Sequence, residues 1–410
     1  MNVQLQINNS LSPSARFVSW APSPCRIRVT NPAGGTPPSA TVTITGKSVA
    51  GGGAVVFRLG TTGAFANSVT LTVPLAGTSV PFFVAGRFGR PSVNNGDVTI
   101  EARTGSTLVG SVPVMVRVRK NANNLTPGER DRLVSAFAQL NNQGAGRFAD
   151  FRDMHTSVSS PQAHGPAGFL PWHRAYLLDL ERELQLIDPS VALPYWRFDL
   201  PSPNIFTLAF LGVSDSLGTV QFGPANPLQF WKTDGVTGVN RRPFFSTATA
   251  PPGLRNEAQT LALGNPGNLY RLFRSLEGNP HASAHSSFGG SISSIHTAAR
   301  DPLFFLLHCN VDRLWAKWQR QFSRFDQAVT AAYDSNPGNP IGHNLPDTMW
   351  PWNGITGGTR PPTAPGGAMA ASACVSAPGA APRVSNCLDY QGSVSSVGRL
   401  GFDYDDVQFA

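Results

Sequence analysis

Six of the chain's eight histidines fall into two groups of three: His155, His164 and His173, then His281, His285 and His308. Within HGPAGFLPWHRAYLLDLERELQ, residues 164–185, a helix is expected from Trp172 onward. There His173, Leu177, Leu180, Leu184 and Ile187 recur at three- and four-residue steps, the period of one helical face. His173 therefore points inward. So does His155, which shares a face with Phe148 and Phe151 in a short helix expected over about Gly146–His155. His164 is the loop member. His281 and His285 stand four apart after Asn279-Pro280, a helix-start signal, and so share one helical face. His308 lies on the stripe Phe304, His308, Val311, Trp315, Trp318 of a helix opened by Asp301-Pro302.

A single inward imidazole is ordinarily a hydrogen-bonded core group. Two inward trios in a bundle of about four helices are another matter, because burying six imidazoles without partners leaves many polar atoms unsatisfied. Imidazole suits copper, zinc, iron and nickel. A zinc hydrolase of the HExxH kind needs Glu after the first histidine, where this chain has Ala282, and the Glu-x-x-His pairs of di-iron bundles are absent. All-nitrogen trios with an open position favour copper, each ion keeping a site for oxygen, and two such ions about 3.5–4 Å apart could grip one diatomic ligand from both ends.

The elements that must position these residues change character along the chain. Residues 1–119 hold no histidine. They read as an all-β sandwich: short runs at Cys25–Thr30, Ala40–Ile44, Ala54–Leu59, Ser68–Val73, Val80–Val84, Asp97–Ala102 and Val112–Val118, separated by PAGG, AGGG, NNGD and RTGS turns. Residues 120–352 read as a mainly α, four-helix-bundle core. Thr126-Pro127-Gly128-Glu129 is a capping box, followed by Leu133, Val134, Phe137 and Leu140 at helical spacing. The helix holding His173 ends at Asp188-Pro189, and Leu193-Pro194-Tyr195-Trp196 reads as a buried anchor before a long irregular stretch. Residues 353–410 read as a Pro/Gly-rich linker and C-terminal extension.

The net charge of +8 invites a nucleic-acid reading, but the basic residues are scattered with no Lys/Arg run among aromatics, so no nucleic acid is expected. No basic-then-apolar leader and no long apolar run is visible, so neither a membrane nor export is expected, and a cytoplasmic location is favoured. Of Cys25, Cys309, Cys374 and Cys387, only the last two are spaced for a local bridge.

Two long motifs carry a resemblance. The first, with its eight-residue gap and FLPWHR core, matches the first copper motif of the tyrosinase, catechol oxidase and hemocyanin family of type-3 dicopper proteins. The second is HASAH, then Gly289-Gly290, then DPLFFLLHCNVDRLW, with 22 residues between His285 and His308 as in bacterial tyrosinases. The resemblance covers roughly residues 117–350. It implies that His155, His164 and His173 bind one copper (CuA) and His281, His285 and His308 the other (CuB). It also implies a polyphenol oxidase that uses dioxygen to convert o-diphenols, catechols or related aminophenols, to quinones. The alternative is reversible dioxygen binding without catalysis.

Several positions depart from the family pattern. Tyrosinases usually have Asn after the first CuB histidine, thought to help deprotonate a monophenol. Here Ala282 stands there, so hydroxylation of monophenols is expected to be weak. Glu277 resembles the family's catalytic acidic residue that orders a water. The usual His-His pair is Leu307-His308, the usual PYWDW is Pro194-Tyr195-Trp196-Arg197-Phe198, and no Cys lies two before His164, so a thioether cannot form. Ile295 falls where relatives place a residue at the mouth of the site. Asp312 is expected to accept the free N–H of a ligand imidazole and fix its tautomer, and Phe304 to pack between the histidines. His296 is not expected to be a ligand, and His343, in a Gly/Pro/Asn loop, reads as exposed. Tyr390, Phe402 and Tyr404, beyond the flexible link, are candidates to cover the copper site as a phenol would.

Overall fold

Alternation of apolar and polar residues builds the N-terminal strands. In β3, Ser23, Cys25, Ile27 and Val29 are buried while Arg26 and Arg28 are exposed, the period of two that gives a sheet one dry face. In the computed structural model, which describes residues 2–30, 38–335, 337–339 and 341–410, nine strands precede the helices. They are β1 (Asn2–Ile7), β2 (Phe17–Val18), β3 (Ser23–Thr30), β4 (Ser39–Ser48), β5 (Val55–Arg58), β6 (Ser68–Pro74), β7 (Val80–Gly86), β8 (Val98–Thr104) and β9 (Thr107–Val116). One sheet has the order β1-β3-β7-β5 and the other β2-β9-β8-β4-β6. Every pairing is antiparallel except β2 with β9. Their buried faces share one core that includes Ile27, Val42, Phe57, Phe82, Ile100 and Val114. All seven expected strands are present; the PAGG turn lies outside the described residues.

The chain divides into two compact units, one of residues 1–118, 372–376 and 401–409, the other of residues 119–371, 377–400 and 410. The stretch after residue 352 is thus shared between the units instead of forming a separate extension. Phe402 and Tyr404 belong to the first unit, where Trp20 Nε1 donates to the Tyr404 carbonyl at 2.8 Å.

Among the described residues eight α-helices order the second unit: α1 (Pro127–Asn141), α2 (Phe148–Met154), α3 (Ser160–Ala163), α4 (Phe169–Ile187), α5 (Glu257–Leu261), α6 (Tyr270–Phe273), α7 (Ser283–Ser286) and α8 (Leu303–Phe322). The capping box opens α1: Thr126 Oγ1 accepts from the Glu129 N–H at 3.3 Å, and Glu129 Oε2 accepts from the Thr126 N–H at 3.0 Å. Asp301 Oδ1 accepts from the Leu303 N–H at 2.9 Å at the start of α8. Helix α4 begins three residues before Trp172 and ends at Asp188. It packs against both α1 and α8.

The single inward stripe expected of α4 understates its burial. Every residue from Phe169 to Arg182 is buried, charges included. Several of those charges are paired within the unit. Arg119 forks onto Glu181 at 3.1 and 2.8 Å and reaches Asp312 Oδ2 at 3.2 Å, while Arg174 Nε donates to Asp312 Oδ1 at 2.6 Å. The Arg174 guanidinium also lies 3.7 Å over the Trp315 ring. Asp179 accepts from the Trp352 indole and the Ala370 N–H, both at 2.8 Å, and burial raises its pKa. Leu193-Pro194-Tyr195-Trp196 is buried throughout, as its composition implied. All four cysteines are free, and Cys374 and Cys387 fall in different units, so the local bridge is not formed. Among the described residues no helix is long and apolar enough to cross a membrane.

Candidate metal centre

The six histidines reach the site from different kinds of backbone. His155 follows α2 in a non-helical conformation, one residue beyond the helix expected to contain it. His164 follows α3 in extended backbone, and His173 sits in the second turn of α4. His281 lies in a π turn over Gly278–Ala282 that runs directly into α7, which carries His285. Asn279 has the extended backbone of a helix-start residue, but its amide instead bonds the Gly253 carbonyl and the Arg255 N–H. His308 is embedded in α8.

Each trio converges. In His155, His164 and His173, and again in His281, His285 and His308, one ring nitrogen per residue lies within 4.8 Å of the other two. The ring contacts interlock the trios: His173 stacks on His308 at 4.3 Å between centroids and 11° between planes. Phe304 lies 4.6 Å from His155 and 4.2 Å from His308, and so packs between these two rings. Phe169 lies 4.7 Å from His173 and 4.9 Å from His281.

The tautomers test whether these groups fit a cation. His164 Nδ1 meets Glu277 Oε1 at 3.1 Å, His173 Nδ1 the Phe169 carbonyl at 2.9 Å, His281 Nδ1 the Glu277 carbonyl at 2.8 Å, and His285 Nδ1 the Ile292 carbonyl at 2.7 Å. An imidazole that donates from Nδ1 presents a lone pair at Nε2. His281 and His285 therefore aim lone pairs at His308 Nε2 from 3.3 and 3.1 Å, and a proton there would satisfy one of them at most. His173 Nε2 is buried without a hydrogen-bond partner. A cation in each trio satisfies all of these atoms at once, and the nitrogen donors suit copper.

Burial favours the neutral form of five of the six rings, and ligands must be neutral. It lowers the pKa of His155, His173, His281 and His308 well below the usual 6.5, with neighbouring imidazoles adding to the shift, and it pushes His285 down to about 4.

A cavity of about 470 Å3 opens onto both trios, lined by His155, His164, His281 and His285 together with Gly165, Glu277, Ala282, Ser293, Ser294, Ile295 and Ala298. That volume is in the range of small-molecule sites, roughly 300–1,000 Å3. Ala282, Ser293 and Ile295 are exposed, Ile295 at 42%, which places them at the mouth. His296 is exposed and stands outside both trios. The described lining draws on residues 155–298 and includes none of the tail aromatics. Tyr390 instead packs within the helical unit under the Arg174 guanidinium, at 4.7 Å.

Two expectations need correction. Asp312 does not fix the tautomer of His308, whose Nδ1 has no hydrogen-bond partner. The Asp312 carboxylate is held between Arg119 and Arg174, because two buried guanidiniums outcompete a neutral imidazole for a buried carboxylate. His343 is fully buried, not exposed: its Nδ1 accepts from the Gly168 N–H at 3.1 Å and its Nε2 donates to the Pro161 carbonyl at 3.0 Å.

The common central domain of tyrosinase matches residues 145–321, which include both trios. The tyrosinase of Streptomyces antibioticus is 33% identical over 269 residues, covering 58% of this chain and 94% of that protein. The tyrosinase of Streptomyces glaucescens is 35% identical over 265 residues, covering 58% and 92%. A functional unit of octopus hemocyanin superposes with a TM-score of 0.48 at 23% identity, covering 72% of this chain and 69% of that one. With two converging histidine triads of the type-3 dicopper kind, and relatives matched over nearly their whole length, the chain belongs to the tyrosinase family of copper oxidases.

Proposed function

We propose that the protein oxidises o-diphenols, catechols and related aminophenols, to quinones, with dioxygen as the electron acceptor. Two diphenols and one dioxygen give two quinones and two waters, each diphenol surrendering two electrons and two protons. In this reading His155, His164 and His173 hold CuA, and His281, His285 and His308 hold CuB. The copper pair supplies the two-electron redox chemistry when bound. The chain's own residues do the rest. His164, His173, His281 and His285 offer Nε2 lone pairs whose direction is set by their Nδ1 hydrogen bonds. Phe169 and Phe304 occupy the space around the rings and keep it dry. Glu277 lines the cavity with its carboxylate, the one acidic group among the described lining residues, and is the group best placed to receive a phenolic proton or order a water.

The observation that carries the proposal is the open cavity over both triads, because an oxygen carrier needs no entrance of aromatic-ring size. Ala282 offers no amide beside Glu277, which supports oxidation of diphenols over hydroxylation of monophenols. Oxygen uptake and quinone formation with 4-methylcatechol and with p-cresol test this. Fast diphenol oxidation, slow cresol turnover, and a faster cresol rate in Ala282→Asn are expected. Oxygen binding without quinone release would favour the carrier reading, and rapid cresol hydroxylation by the unaltered chain would overturn the weight placed on Ala282.

A further inference from the structure

The segment Pro161–Gly168 carries His164 and runs from within the short α3 to the start of α4, and side chains distant in sequence hold its backbone at five points. Glu277 accepts from the Gly165 N–H at 2.8 Å, Arg274 Nη1 donates to the Gly165 carbonyl at 2.8 Å, and the Tyr270 hydroxyl donates to the Ala167 carbonyl at 2.6 Å. The other two points are the loop's ends, and one residue, His343, takes both. Its Nε2–H donates to the Pro161 carbonyl at one end and its Nδ1 accepts from the Gly168 N–H at the other.

We propose that His343 is a positioning residue for the CuA site: it staples the two ends of the His164 loop and so keeps the His164 imidazole within reach of His155 and His173. This rests on the dicopper reading of the trios. The ring is fully buried, so neither hydrogen bond competes with water. Its own backbone is tied down as well, the N–H by Asp347 Oδ2 at 3.1 Å and the carbonyl by the Tyr333 hydroxyl at 2.9 Å. The approach is close on the loop side. A Cβ on Gly168 would lie 2.5 Å from His343 Nδ1, nearer than Cβ atoms come to any neighbour, so this end of the staple needs glycine. Gly342 is at φ +71, and a Cβ there would meet the Gln162 amide at 2.3 Å, so the backbone carrying the staple also needs glycine. The staple works only with the Nε2–H tautomer of a neutral imidazole, because a protonated ring would turn an N–H toward the Gly168 N–H. Gly168 directly precedes α4, so the same bond also sets where the helix of His173 begins.

Three substitutions separate positioning from mere support. His343→Phe keeps the bulk and removes both hydrogen bonds, His343→Asn keeps an acceptor near Nδ1, and His343→Gln keeps a donor near Nε2. Each is placed in two backgrounds, His285→Ala, in which CuA is the intact site, and His173→Ala, in which CuB is. The readout is bound copper per chain and its rate of loss to a chelator. In the His285→Ala background, His343→Phe is expected to speed copper loss roughly 10–100-fold, the range for removing a hydrogen bond that orients a ligand, with Asn or Gln recovering part of it. In the His173→Ala background the rate is expected to stay unchanged, which also shows that the variant folds. Equal acceleration in both backgrounds, or none in either, would overturn the proposal. If the unaltered chain binds two coppers but oxidises no diphenol, the functional reading fails while this test stands.

Discussion

The two triads use different means to the same end. The CuB histidines ride on helical backbone: His281 lies in the π turn that runs directly into α7 and its His285, and His308 is buried in the long α8. The CuA histidines come from three elements, and two of them, His155 and His164, lie just past the ends of short helices, in non-helical backbone. A helix fixes side-chain direction through its own hydrogen bonds, whereas a loop must borrow rigidity from its neighbours. CuA therefore depends on a ring of outside contacts, from His343, Tyr270, Arg274 and Glu277, whereas the CuB turn is held from outside at Asn279, by Gly253 and Arg255.

The largest expected effect tests whether the triads are separate sites. His173→Ala and His285→Ala should each abolish diphenol oxidation and lower bound copper from two per chain to one. If either substitution emptied both sites, the comparison would collapse into a single shared centre. Next comes Asp312→Ala, which leaves Arg119 and Arg174 buried with part of their compensation gone. Breaking a buried pair of this kind costs about 3–5 kcal/mol, to be read as a lowered denaturation midpoint of the copper-free chain. Asp312 links α4, which bears a CuA ligand, to α8, which bears a CuB ligand, so both coppers should weaken together.

A smaller effect is expected from Glu277→Gln. The side chain serves His164 while the main-chain carbonyl serves His281, and the substitution touches only the former. Copper affinity should fall roughly 10–100-fold at CuA with CuB spared, measured by chelator competition. Loss confined to CuB would invert the assignment. The smallest is Thr126→Ala, which removes the capping box of α1 and should cost about 1 kcal/mol of stability without changing copper content or turnover.

What the sequence disclosed and what it hid divide along the same line. Seven sandwich strands, the capping box and the stripes bearing His173 and His308 are periodic, and periodicity survives in a linear text. Strand β1 carries the same alternation, with Val3, Leu5 and Ile7 between polar residues, and was legible on that pattern, whereas β2 is only two residues long. The histidine trios were legible because six imidazoles have no other economical use. Their supports were not. His343 meets Gly168 across 175 residues, and Asp312 meets Arg119 across 193, with no spacing rule that announces either contact. An Asp four residues after a ligand histidine suggested a partner for that histidine, but buried charge is settled by whichever opposite charge the tertiary fold brings closest.

Helix α4 has no solvent face between Phe169 and Arg182, and Arg174, Asp179 and Glu181 are engaged inside the unit. A surface helix can drift at half its positions without penalty. Here a change at any of these positions opens a void, strands a charge or displaces a ligand. The segment is therefore expected to tolerate few substitutions, so that a saturation library selected for copper content would recover near-original residues along its whole length and a relaxed pattern on the exposed side of α1.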